Sequence, residues 1–81
     1  MNRYVVRAVA RFLSGRELVV GDWEATDFDA AEKRALDWLA SAESLRRAGV
    51  KTVATLHRIG RGGDIDPTWT MTIKRGRDYP W

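Results

Sequence analysis

Tyr4-Val5-Val6-Arg7-Ala8-Val9-Ala10-Arg11-Phe12-Leu13 is the stretch on which the fold turns. With a period of two, Tyr4, Val6, Ala8, Ala10 and Phe12 share one apolar side, and Val5, Arg7, Val9, Arg11 and Leu13 share a basic–apolar one. That is the pattern of a strand with one face in the core. Arg3, Arg7 and Arg11 also align at helical i,i+4 spacing, but the β-branched content and the turn that follows favour the strand. Ser14-Gly15-Arg16 is a hairpin turn, with Gly15 free to take a positive φ. Glu17–Glu24 is then the second strand, and Gly21 inside it is a candidate bulge.

Outward from the hairpin, the helix announces its own start. Asp27 is a good N-cap, and Asp29 and Glu32 lie in the first turn beside the positive end of the helix dipole. Phe28, Ala31, Ala35, Trp38, Leu39, Ala42 and Leu45 recur at helical spacing as one apolar stripe. Asp29 with Lys33 and Glu43 with Arg47 are expected i,i+4 pairs, and Gly49 ends the helix at C′. Val50–Ile59 is the third strand. A slip of one residue decides whether Val50, Ala54 and Leu56 or Val53, Thr55, His57 and Ile59 face the helix. Gly60 to Pro67 has loop composition. Trp69–Arg75 alternates, with Trp69, Met71 and Ile73 inward and Thr68, Thr70, Thr72 and Lys74 outward.

The order β-β-α-β-β predicts an α+β two-layer sandwich of one domain, residues 1–81, with one helix across a four-stranded antiparallel sheet. A right-handed crossover from strand two to strand three needs a slot between them, which strand one fills. The expected spatial order is 2-1-3-4, with Arg7 and Arg11 of a central strand on the uncovered face.

Charge is sorted along the chain. Residues 1–16 hold four arginines and no acid, the stretch Glu17–Glu43 holds eight acids against two bases, and residues 44–81 hold eight bases against three acids, for a net +3. This predicts an electric dipole, a basic side opposing an acidic one, which steers association without specifying a fold. There is no cysteine, so disulfides and thiolate metal sites are excluded. No apolar run reaches the ~20 residues that span a bilayer, and arginines interrupt the N-terminus where a signal peptide would be apolar. A soluble, cytoplasmic protein without membrane contact is expected.

Catalytic motifs are lacking. His57 is the single histidine, and Ser14, Ser41 and Ser44 sit in a turn or a helix without a nucleophile elbow. His57 with Asp64 or Asp66 is the one pair an enzymatic reading has to offer; the expectation is no enzyme and no cofactor. Asp64 and Asp66, or Asp22, Glu24, Asp27 and Asp29, are oxygen ligands in number but match no calcium loop, and they read as turn formers and helix caps. Gly60-Arg61-Gly62-Gly63 matches no phosphate-binding loop.

Bases interleaved with aromatics are the functional lead. Arg7, Arg11, Arg58, Arg61, Lys74, Arg75 and Arg77 are expected on the open sheet face or the hairpin ends, with Tyr79 and Trp81 beside them as anchors. Such a surface suits an acidic protein or a phosphate backbone of DNA or RNA. Trp38 and Trp69 belong to the core. The strand-four edge, or the outer face with Val5, Val9 and Leu13, also offers a homodimer contact.

In its 81 residues, its lack of cysteine and its single helix opened by Asp27-Phe28-Asp29-Ala30-Ala31-Glu32, the chain resembles the small accessory proteins that phages encode, anti-CRISPR proteins among them. The hairpin-then-helix layout is also similar to HicB-type antitoxins, whose Pro- and Gly-containing motif before the helix is absent here. The first resemblance implies a non-enzymatic inhibitor that docks on a protein or nucleoprotein machine. Neither supplies site residues. The sequence expectation is therefore a small binding protein using Arg7, Arg11, Arg58, Arg61, Lys74, Arg75, Arg77 and Trp81, with nucleic-acid binding through the same face as the alternative.

Overall fold

The computed structural model describes residues 3–74. Strands β1 (Arg3–Arg11) and β2 (Glu17–Ala25) form a hairpin. Helix α1 (Phe28–Ser41) and a short α2 (Glu43–Arg47) follow, then β3 (Lys51–Ile59), a single 3-10 turn at Arg61–Gly63, and β4 (Ile65–Lys74). All neighbours pair antiparallel in the order β2-β1-β3-β4, as the crossover argument requires.

The period-two reading of β1 holds. Tyr4, Val6, Ala8 and Ala10 are buried under the helix, and Val5, Arg7 and Val9 are half-buried on the other face. In the hairpin turn Gly15 has φ +87°, and its N–H donates to the Phe12 carbonyl at 2.9 Å. Ala8 opposes Gly21 while Val9 opposes Val19, so Val20 is the extra residue of a bulge beside Gly21.

Small residues bring helix and sheet close together. Ala31 and Ala35 meet Ala54, Val6 and Leu56, with Leu39 filling the rest. Trp23, Phe28, Trp38, Trp69, Met71 and Ile73 close the rim. Tyr4, Phe28 and Trp69 meet edge-on with centroids 5.4–6.4 Å apart. Asp27 caps α1 by accepting from the Ala30 N–H at 2.8 Å.

Three local expectations change, and one that the sequence left open is settled. The apolar stripe does not run as one helix: the chain turns at Ala42, and α2 packs toward β3. There the Arg46 Nη1 donates to the Leu39 carbonyl at 2.6 Å and to the Thr52 hydroxyl at 3.2 Å, satisfying backbone that a helix end leaves open. Gly49, φ +85°, closes α2 as a Schellman cap, with Gly49 N–H on the Arg46 carbonyl and Val50 N–H on the Leu45 carbonyl, both 3.0 Å. Lys33 reaches forward to Asp37 at 2.8 Å rather than back to Asp29, whereas Glu43 and Arg47 pair as expected. The facing of β3 is resolved, since Thr52, Ala54 and Leu56 are buried and Val53, Thr55, His57 and Ile59 look away from the helix. Finally, β4 starts at Ile65, inside the expected loop. Ile65 pairs with Ile59 across a register shift, and Asp66 folds the chain around Pro67 by accepting from the Thr68 N–H and hydroxyl.

Candidate functional site

The face of the sheet away from the helix is built from alternate residues of all four strands, and the register dictates its charge. Arg3, Arg7 and Arg11 of β1 project there. Beside them stand Glu24, Asp22 and Glu17 of the antiparallel β2. Each arginine is ion-paired: Arg3 with Glu24, Arg7 with Asp22 at 3.3 Å, and Arg11 with Glu17 at 2.6 Å.

This corrects the expectation of a bare basic face. The charges that were sorted by segment are interleaved in space, because a hairpin lays a segment rich in bases against the next one, rich in acids. Exposed pairs of this kind add only about 0–1 kcal/mol each to stability. Their larger effect here is to neutralise Arg7 and much of Arg11 as docking cations.

Arg58 is corrected as well. Opposite Tyr4, it lies on the helix side of β3, bonded to Asp66 at 2.9 Å with its guanidinium 5.7 Å from the Trp69 ring centre. The hydroxyl and N–H of Thr68, followed by Arg58, hold the Asp66 carboxyl at about 2. Asp66 is thus a fixed anion of the β3–β4 connection. His57 points to the opposite face, its Nε2 3.1 Å from the Thr55 hydroxyl. Burial first, and then the Arg7 guanidinium, lower its pKa below 6.5 against the pull of Asp22. The structure therefore does not bring His57 and Asp66 together as an acid–base pair. Among the described residues no three His, Asp or Glu side chains are grouped to hold a metal ion.

Of the remaining expected docking residues, Arg61 is exposed at the β3–β4 turn. Lys74 ends β4 beside Val53, at the far end of the sheet and about 26 Å away along β3. Arg75, Arg77, Tyr79 and Trp81 lie outside the described residues.

At the Lys74 end the structure assembles a cluster that sequence reasoning missed. Lys51 stands directly across from Arg11, and Lys74 lies diagonal to it beside Val53. Together with Thr52 and Val53 these three cations line a shallow cavity of about 90 Å³, and Glu17 is the carboxylate paired within it. Lys51 was findable. Antiparallel pairing in the order 2-1-3-4 sets the start of β3 against the end of β1, and so Lys51 against Arg11.

The hairpin turn closes the same end. Leu13 there is 92% exposed, and a second hollow of about 130 Å³ runs between Arg11, Phe12, Leu13, Gly49 and Lys51. Leu18, Val19 and Val20 of the edge strand β2 are about half exposed nearby. The end of the sheet thus combines cations with an apolar projection. Among the described residues no helix is long and apolar enough to cross a membrane.

No protein-family model, curated protein or solved structure matches this chain.

Proposed function

We propose that this protein is a small non-enzymatic binding module that docks its hairpin end on an acidic surface of a protein or nucleoprotein partner and acts by occupying it. One observation carries the reading. Arg11, its direct cross-strand neighbour Lys51 and the adjacent Lys74 are three cations that share one carboxylate, Glu17, on a face where Arg3 and Arg7 each have a carboxylate of their own. Like charges placed opposite one another on a sheet are unfavourable. Glu17 offsets one of the three charges, and an anionic partner relieves the repulsion that is left. Leu13 of the hairpin turn supplies apolar surface next to Arg11 and Lys51, the combination of anchor and charged rim found at interfaces. The role as an inhibitor of a larger machine, which the resemblance to phage accessory proteins implies, fits this mode of action.

The same cations suit a phosphate backbone, so the test uses both kinds of anion. Binding of the purified protein to poly-glutamate and to a DNA duplex is titrated over a range of salt. Poly-glutamate binding that weakens with salt and is lost in the double variant Lys51→Glu/Lys74→Glu, while Arg61→Glu leaves it intact, supports the proposal. Duplex binding with a log–log salt slope near −3, about 0.9 per neutralised phosphate, transfers the site to nucleic acid. Absence of binding to either at low salt, or equal binding by the double variant, refutes the basic end as a docking surface.

A further inference from the structure

The cations of the hairpin end converge on one point. Arg11, Lys51 and Lys74 all line the cavity of about 90 Å³ over Val53. Lys51 and Lys74 are diagonal neighbours on adjacent strands, about 7–8 Å apart. Among the described residues neither lysine has a salt-bridge partner. Glu17 accepts from the Arg11 Nε at 2.7 Å and lies 2.6 Å from its Nη2, which leaves Nη1. Three positive charges against one negative give the cavity a net +2.

We propose that this cavity holds one phosphomonoester group, presented by a phosphoserine in an acidic peptide segment of the partner. This rests on the docking reading of the same end and narrows the partner it takes. A phosphomonoester carries about −2 at neutral pH on three terminal oxygens. One such group balances the +2, and its oxygens can accept from Lys51, Lys74 and the Arg11 Nη1 together. A glutamate side chain or a backbone phosphodiester brings only a single negative charge to that point. A row of them, as in poly-glutamate or a duplex, spreads the charge that these cations gather. A long polyanion laid across the face would also meet Glu17, Asp22 and Glu24 along β2.

The second hollow, of about 130 Å³, favours a peptide as the carrier of the phosphate. It shares Arg11 and Lys51 with the first and is walled by Phe12 and the exposed Leu13. An apolar side chain next to the phosphoserine fits there, whereas an inorganic anion leaves it empty.

Fluorescence anisotropy of the purified chain with three labelled probes tests the site. The probes are a short acidic peptide with leucine beside a central phosphoserine, the same peptide with glutamate in place of the phosphoserine, and an oligonucleotide with a 5′-terminal phosphate. The phosphopeptide should bind about tenfold tighter than the glutamate peptide, the size of a charge-assisted hydrogen bond. Lys51→Gln/Lys74→Gln should erase that difference. Glu17→Gln, which frees the rest of Arg11, should tighten phosphopeptide binding several-fold, a gain that misfolding cannot mimic. Leu13→Ser should weaken both peptides by the same factor and leave their ratio unchanged. All four residues are exposed, and circular dichroism checks that the variants fold. A glutamate peptide that binds as tightly as the phosphopeptide overturns the phosphate site and leaves the docking reading in place. Binding of neither peptide overturns both. An oligonucleotide that binds more tightly than the phosphopeptide assigns the cavity to a nucleic-acid end, and a double lysine variant that still prefers phosphate puts the phosphate elsewhere; either result overturns the proposal.

Discussion

Replacing Gly21 with alanine tests how the β2 bulge is packed. Gly21 lacks the positive φ found at Gly15 and Gly49, so its backbone accommodates any L residue. In an open site the change to alanine would stabilise the protein by about 0.4–1 kcal/mol through the unfolded chain. The site is not open. The six-membered ring of Trp23 lies across the Gly21 Cα, and an added Cβ would collide with its Cη2 and stand 2.8 Å from its Cζ2. Trp23 itself is packed against the core and carries the Arg34 guanidinium 5.1 Å from its ring centre. Alanine must therefore push the indole outward or lift β2 from β1. Exposing about 100 Å² of the indole costs about 2.5 kcal/mol at 25 cal/mol per Å², and the cation–π contact adds about 0.5 kcal/mol. After the unfolded-state gain, the net loss for Gly21→Ala is about 2 kcal/mol. For a domain of this size that lowers Tm by about 8–16 °C. Urea denaturation of Gly21→Ala in the native background and in a Trp23→Val background forms a double-mutant cycle. With the indole gone, the same substitution should become stabilising by the unfolded-state gain alone, a coupling of about 3 kcal/mol. Equal losses in both backgrounds, or no loss in the first, would refute the argument that the glycine is there to seat Trp23.

Thr52→Val keeps the shape of a fully buried side chain but removes the oxygen that accepts from Arg46. It should cost about 1–2 kcal/mol by denaturation, as loss of a bond to a charged donor does, with Thr52→Ser closer to the native value. His57 has a native pKa below its unfolded 6.5, so the unfolded chain takes up its proton first as pH falls. Its contribution to stability should be flat above about pH 7, decline as pH drops through 6.5, and level off once native His57 is protonated too. Denaturation midpoints of the native chain and of His57→Gln between about pH 8 and pH 5 should differ in slope, and matching slopes would show that His57 is not responsible.

The alternation in residues 4–13, the Ser14-Gly15-Arg16 turn, the Asp27 cap and the Gly49 stop were all legible, because each is set by residues adjacent in the chain. The strand order followed from one further rule, the handedness of the crossover. The break at Ala42 was not legible, since the apolar stripe continues through it; Arg46, bonded to the Leu39 carbonyl and the Thr52 hydroxyl, ties the two helices and β3 together there. Nor was the facing of β3, where Thr52 occupies a buried position that composition alone assigns to an apolar residue.

The candidate site shows the division most clearly. The sequence determined how many arginines β1 presents and to which side, because side-chain direction in a strand depends on position in that strand alone. Whether those arginines are free was decided by the tertiary structure. Arg7 meets Asp22, and Arg11 meets both Glu17 and Lys51, through the registers of two strand pairs. A charge acquires its chemical meaning from the group opposite it, and that group is brought there by the fold.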